Sequence, residues 1–498
     1  MESTDAIIIG AGVGGLSAAA YLAQAGLKVI MLEQDHYIGG TAHVFKRNGF
    51  TFPAGPQSFT MPSCIIDSLC ELGVMEPPCF TRDCFQVRRG AMDVMISEPL
   101  RKIAEQLIKF FPEEQEGIRT VINILEELIA ALDELKLKAF LGKAVNSAAQ
   151  SLIGSWSGIS AKELMDSRLH NEHLKDLLGS QGTSETEMSV VLLAQMWNFM
   201  SGKGIWYPKG GISRILELLA MRVCAFGGEI RRKKRVKSIL VHDGRAVGVE
   251  LGGGRKIRSH YVISDADYKE TILELLPHNT IADSKQEEVI RMPLTSSNFT
   301  IFLGVKKELL DLSTFRGHHL LVKLREGKPI PWEQKRPCPE DFLQDEIWIS
   351  WWSRHDPELA PAGCEALIIK VAAPFDHFTS FSGDDRRSES YYSMKEEMAD
   401  ALMSAASMVV PGLPEAVVVR EVATPLTYKD RGHRSSGSVA GWSWRFGDYP
   451  GLRSFAVTPV PGLLMVGLQS FTRLFYGGMG TALYSGRYAA DIVLSGLK

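Results

Sequence analysis

The first long apolar run, Ala6 to Leu32, is broken early by Gly10, Gly12, Gly14 and Gly15. No other feature constrains the fold as much. Asp5 to Gly10 reads as a short buried strand, residues 14–25 as a helix that Gly26 ends, and Lys28 to Glu33 as a second strand. Strand, glycine turn, helix and strand in about 30 residues make a βαβ unit. Gly10, Gly12 and Gly15 fit G-x-G-x-x-G. The first glycine permits a tight turn, the second lets a pyrophosphate approach the backbone, and the third lets helix pack on sheet. The helix start at Val13 and Gly14 then offers free N–H groups and a positive dipole end to phosphate. Glu33 ends the second strand about 20 residues on, where a carboxylate accepts hydrogen bonds from a ribose diol; Gln34 follows it. The unit is a dinucleotide site.

Glu2 and Asp5 precede the run, and Gln24 and Lys28 interrupt it. It is therefore neither a signal peptide nor a membrane span. No other run approaches the ~20 apolar residues a span needs. The expected location is cytoplasmic, with peripheral membrane contact through Leu107–Phe111 set against a plain core helix. With 55 Lys and Arg against 58 Asp and Glu, a net of −3, nucleic acid is not expected as a partner. The basic run Arg231–Arg235 reads as a solvated strand edge. Seven cysteines without a Cys-x-x-Cys pair carry no disulfide or zinc pattern, and no metal site is expected.

Further along, 99–178 has helical periodicity, with Ser160 and Glu163 spaced as a capping box. Ile212 to Ala225 reads as a helix. Val236–Val241, Ala246–Leu251 and Lys256–Ser264 read as a meander turned at Asp243-Gly244 and Gly252–Gly254. Residues 295–375 hold longer strands, 388–410 a helix, 463–467 a short strand and 479–497 a final helix.

Gly39-Gly40 after Glu33 would let the chain pass a second stretch of the same pyrophosphate. The pattern from Asp5 through Leu32-Glu33 to Gly39-Gly40 resembles the FAD signature of glutathione-reductase-like flavoproteins. The segment Gly204-Ile-Trp-Tyr-Pro-Lys-Gly-Gly211 resembles the "YPxGG" segment of the phytoene desaturase, carotene isomerase and retinol saturase family. Gly227–Ile230, Val236, Asp243-Gly244, Gly248-Val249, Val262–Ala266, Phe111-Pro112-Glu113 and Asp356–Pro361 follow the same order. The likeness spans nearly the whole chain.

The resemblance implies an α/β fold, a Rossmann-like FAD-binding domain with an inserted α+β substrate domain. Residues 1–75, 204–290 and 440–498 would bind FAD, 76–203 would form a helical substrate- or membrane-facing part, and 291–439 a substrate sheet and helix. It implies FAD contacts at Gly10, Gly12, Val13, Gly14, Gly15, Glu33, Gln34, Gly39, Gly40, Thr41, Val236, Ala266, Gly467, Leu468, Gly478 and Met479. Two departures lie where the isoalloxazine is expected. The family's F-D-x-G reads Phe52-Pro53-Ala54-Gly55, and Gly467 is followed by Leu468-Gln469 where Gly-Asp is usual. Gln469 or Ser470 would replace that polar contact.

The implied activity is desaturation, saturation or isomerisation of an apolar isoprenoid or polyene. No second G-x-G-x-x-G follows a strand, so an external electron donor or acceptor is needed. Acid–base candidates are His43, His433 and Tyr476; substrate-wall candidates are Trp206, Trp442 and Trp444. Each is set against plain packing. Two other readings stay open. One is a flavin oxidase of an amine or natural-product intermediate; the other is a prenyl-lipid-binding protein of the Rab GDP-dissociation inhibitor type.

Overall fold

The computed structural model describes residues 2–140, 147–181, 187–381, 387–445, 453–472 and 477–496. Its N-terminal strand, Glu2–Ile9, is buried along Ala6–Ile9 and lies parallel to Val29–Leu32 on one side and Lys256–Ser264 on the other. Glu229–Arg231 extends this parallel sheet beyond Val29–Leu32, and Leu463–Met465 joins alongside Lys256–Ser264. The meander Val236–His242, Arg245–Leu251 and Lys256–Ser264 closes the sheet in antiparallel fashion. Helix Val13–Gln24 fits closely on this sheet because its buried face is small: Ala18, Ala19, Ala20 and Ala23 with Leu16 and Leu22. Helices Ile212–Ala225 and Gly477–Ser495 pack against it.

A second sheet has seven strands in the order Val417–Ala423, Ser297–Lys306, Cys364–Ala373, Ile347–Trp351, His319–Lys323, Phe85–Arg89 and Met92–Met95. Helix Glu389–Ser407 covers one of its faces through Met398, Leu402 and Ala406, which pack with Phe299, Ile301, Ile349 and Ile369. The opposite face is the floor of a cavity.

Residues 76–203 are not all helical. Phe80–Asp83 pairs with Ile205–Pro208, and Phe85–Arg89 runs parallel to His319–Lys323 in the second sheet. Their alternating buried residues, Phe85, Val87, Met92 and Val94, need a sheet face, which a helix would not give them. Helices Leu100–Phe110, Gln115–Phe140, Ala161–Arg168, Glu172–Ser180 and Val190–Trp197 form a cluster beside it. The box at Ser160 and Glu163 caps Ala161–Arg168. In the segment proposed for membrane contact, Leu107 is in the core and Phe110 is the one strongly exposed apolar side chain, at 41%, beside the exposed Lys109. One phenyl ring is not an interfacial face. Among the described residues, no helix is long and apolar enough to cross a membrane.

Candidate active site

The cradle for the cofactor is built by the glycine turn. Gly10 has φ +90°, open to glycine at no steric cost. A Cβ on Gly12 would stand 2.4 Å from Asp265 Oδ2, and one on Gly14 would stand 2.5 Å from the amide nitrogen of Gly467. Gly15 lies behind the groove, where a Cβ would reach 2.4 Å from the Gly10 carbonyl oxygen. No N-cap side chain closes the helix that begins after Gly12; the Asp265 carboxyl lies against the amides of Gly12 and Gly15. Gly39 bridges to Gly12, and its amide donates to the Ala11 carbonyl at 2.7 Å. The tandem glycines thus run beside the turn. Glu33 accepts from the amides of Ala11 and Asp35, each at 2.8 Å, and still lines the groove. Burial pushes its carboxyl up, and the two amides oppose this. A groove that leaves no room for side chains, a helix start without an N-cap side chain and a fixed carboxylate fit a dinucleotide.

The cradle continues into a cavity of about 1130 Å³. Gly10, Gly12, Val13, Gly14, Glu33, Gln34, Gly39, Gly40, Thr41, Val236, Ala266, Gly467, Leu468, Gly478 and Met479 all line it. Sequence reasoning missed two residues at its centre. Asp265 follows the strand Lys256–Ser264 and points its carboxyl at the glycine turn, with Oδ2 sealed from solvent and without a hydrogen-bond partner. Burial pushes this carboxyl up to about 7, and the nearby amides of Gly15 and Gly12 only partly offset it. Arg434 reaches in from the far side and donates to Thr41 Oγ1 at 2.7 Å. It also donates to the Val439 carbonyl at 3.0 Å in its own loop, but Thr41 lies far away in sequence, so no spacing rule could place it at the cradle.

Gln469 lines the cavity, with both of its polar atoms already engaged within the protein. Its Oε1 accepts from the Tyr268 amide at 2.7 Å and its Nε2 donates to Asp267 Oδ2 at 3.0 Å. Ser470 donates to the Gly467 carbonyl at 2.6 Å. Both side chains are committed to holding the loop.

The acid–base candidates are not brought to one place. His43 stacks on Tyr37 at 4.0 Å, donates from Nδ1 to the Gly40 carbonyl at 2.6 Å, and is absent from the cavity wall. His433 lines the groove but sits 3.0 Å from Asp35 Oδ2, at the Glu33 end, far along the chain's nucleotide side. Tyr476 lies outside the described residues. Of the tryptophans, Trp444 lines the cavity. Trp206 does not; its Nε1 donates to the Lys203 carbonyl at 2.8 Å, in the small sheet with Phe59 and Arg82. Trp442 is 1% exposed, packs against Tyr268 and Phe455, and donates to the Gln469 carbonyl at 2.8 Å. The Gly- and Ser-rich loop turns it inward, so it supports the wall from behind.

The cavity floor is one face of the second sheet. Trp348 pairs with Lys370, Ser350 with Ile368, and Thr300 with Lys370, so these side chains share a face with Phe302 and Asn298. Beside the floor, where His319 pairs with Ser350, lies a buried charged cluster. Asp83 is fully buried and accepts from His319 Nε2 at 2.8 Å; His318 Nδ1 stands 3.2 Å and His355 Nε2 3.5 Å from its other oxygen. Burial alone would raise the Asp83 carboxyl, but His319, His318 and His355 hold it far below the usual carboxylate range. Burial works against a charged His318, yet Asp83 raises that ring to about 9. Burial pushes His355, stacked on His318 at 4.2 Å, down to about 3. The cluster touches the cavity through His319 Nδ1, Ser350 Oγ and Gln57 Oε1, linked at 2.8 and 3.0 Å. Asp83, His319 and His355 also offer three atoms within 4.8 Å of one another, a set a cation could bridge. They come from three distant segments, so no sequence spacing could reveal them.

A parallel βαβ sheet with a glycine cradle, carrying an inserted sheet whose face closes a cavity beside that cradle, defines an FAD-dependent oxidoreductase. The chain belongs to the flavin-containing amine oxidoreductase family, whose model matches residues 13–494. It is 28% identical to a chloroplastic prolycopene isomerase of Daucus carota, over 98% of this chain and 80% of that protein. It is 25% identical to an all-trans-retinol 13,14-reductase of Danio rerio, over 97% of this chain and 86% of that one. An oxidoreductase structure from Methanosarcina mazei shares the fold at TM-score 0.64 with 18% identity, covering 97% of this chain and 100% of that one.

Proposed function

We propose that the protein acts on a carbon–carbon double bond of an isoprenoid polyene. The observation that carries this reading is the cavity itself. It joins the glycine cradle to the apolar side chains Leu192, Met196, Phe199, Phe302, Trp348 and Trp444 in one space of about 1130 Å³. The cradle, Glu33, Thr41 and the Gly477–Ser495 helix start would hold FAD, which when bound would supply the redox couple for hydride removal from, or addition to, such a carbon. The protein's own part is to align the chain, exclude water and hold the loop at Gln469 and Asp267 against the cradle.

The amine-oxidase alternative meets an obstacle in the cavity. Lys370 lines it, with its ammonium group against the Trp348 ring, and a protonated amine beside it would be repelled. The family membership and intact cradle also leave no support for a flavin-free lipid carrier. The test is anaerobic incubation of the FAD-loaded protein, oxidised and reduced, with a panel of carotenoids and prenyl lipids, and product analysis by chromatography. A changed number or geometry of double bonds is expected. No change in any polyene, with peroxide released from an amine in air, would overturn the proposal.

A further inference from the structure

Lys370 is an unexpected tenant for an apolar cavity. It lies on the strand Cys364–Ala373, between Ile368 and Ala372 on the face that forms the floor. Its ammonium group stands 3.7 Å from the centre of the Trp348 ring. The contact is a cation–π interaction, which attracts a cation without neutralising it. Among the described residues Lys370 has no ion-pair or hydrogen-bond partner. Two carboxylates just beyond the ends of the floor strands, Glu346 and Asp376, share the cavity lining, and neither forms an ion pair with Lys370; Glu346 Oε2 accepts from Arg89 Nη2 at 2.6 Å, and its Oε1 has no partner. Burial alone pushes the Lys370 amine down to about 8, with no carboxylate offsetting it. It remains mainly charged at neutral pH.

Lys370 is half-buried, and a charge set on an apolar wall is costly to the extent that it loses water and nothing pairs with it. The cavity is where the substrate goes, so the missing anion is sought on the substrate. We propose that the substrate is an isoprenoid acid, an apolar chain ending in a carboxylate that pairs with Lys370; this rests on the polyene reading above. One isolated ammonium matches one negative charge. Among the described residues of the second sheet that line the cavity, Lys370 is the one cation, where a diphosphate would need more. Trp348 flanks the carboxylate and Thr300 faces Lys370 across the strand pair, its Oγ1 already 2.7 Å from the Tyr428 hydroxyl. From Lys370 the chain runs toward the cradle over Ile368 and Phe302. Ile368 pairs with Ser350, which bonds Gln57 at the cofactor end, one side-chain repeat or about 7 Å along the strand. Lys370 therefore fixes which double bond lies nearest the cofactor.

The test is equilibrium binding of geranylgeranoic acid and geranylgeraniol to the FAD-loaded protein, followed by perturbation of the flavin absorption spectrum. The two ligands share one chain and differ at its end. A charge-assisted pair predicts that the acid binds about tenfold to a hundredfold more tightly. Lys370→Met should remove that preference while leaving the alcohol's affinity within about twofold, and Lys370→Arg should keep it. Binding of the alcohol and the acid with equal affinity overturns the inference and leaves the polyene reading intact. A preference that survives in Lys370→Met also overturns it. Failure of both ligands to bind the wild-type protein overturns the inference and the polyene reading together.

Discussion

Asp83→Asn keeps the shape of a fully buried side chain and removes its charge. The loss falls on the three rings around it. His318 is raised from its ordinary 6.5 to about 9, mainly through Asp83 and against burial, a rise equivalent to about 3 kcal/mol at 1.36 kcal/mol per pKa unit. The amide also cannot accept equally well from His319 and the Cys84 amide, which now bond it at 2.8 and 3.0 Å. Breaking a buried ion pair by removing one partner costs about 3–5 kcal/mol, and that is the expected destabilisation near pH 6.5. The pH dependence has a definite sign. A histidine raised in the fold contributes fully below its unfolded value of 6.5, and the contribution fades as pH rises through about 9. The gap between wild type and variant should therefore narrow between pH 6.5 and 9.5. Urea denaturation of the FAD-loaded proteins at both values measures it. A variant within about 1 kcal/mol of wild type at pH 6.5, or a gap that widens with pH, would refute the reasoning.

Three further outcomes follow from the site. Gly14→Ala drives a Cβ to within 2.5 Å of the Gly467 backbone, so the purified variant should lose most of its flavin colour; full occupancy would contradict the cradle. Asp265 is raised from 3.8 to about 7 by burial, so it weakens the fold as pH rises from about 4 to 7. Asp265→Asn should add on the order of 2–4 kcal/mol at pH 8 and almost nothing at pH 4, read as melting temperature at each pH. Trp442→Ala should cost about 3–5 kcal/mol of stability. Trp444→Ala, on the cavity wall, should cost far less and weaken polyene binding instead; the reverse pattern would show the two tryptophans exchanged in role.

What the sequence made legible is what depends on neighbours in the chain. The βαβ unit follows from Gly10–Gly15 between two apolar strands. Ile212–Ala225 and the Val236–Ser264 meander follow from helical period and turn glycines, and the structure places them almost residue for residue. What stayed hidden depends on sheet pairing. Lys370 reads as the outward residue of an alternating strand, and only pairing with Trp348 and Thr300 shows that this face borders a cavity. His318, His319 and His355 look like separate surface histidines until Asp83 is brought between them. Trp442 sits among small polar residues that read as an exposed loop, yet Tyr268 and Phe455 bury it.

On the proposed function, FAD in the glycine cradle serves a double bond of a polyene lying in the adjoining cavity. The most direct measurement is rapid anaerobic mixing of the FAD-loaded protein, oxidised or reduced, with a conjugated polyene while both absorption spectra are recorded. The account predicts a shift or bleaching of the polyene band that requires bound FAD and is absent in Gly14→Ala. A polyene band unchanged by fully flavin-loaded protein in both oxidation states would contradict it.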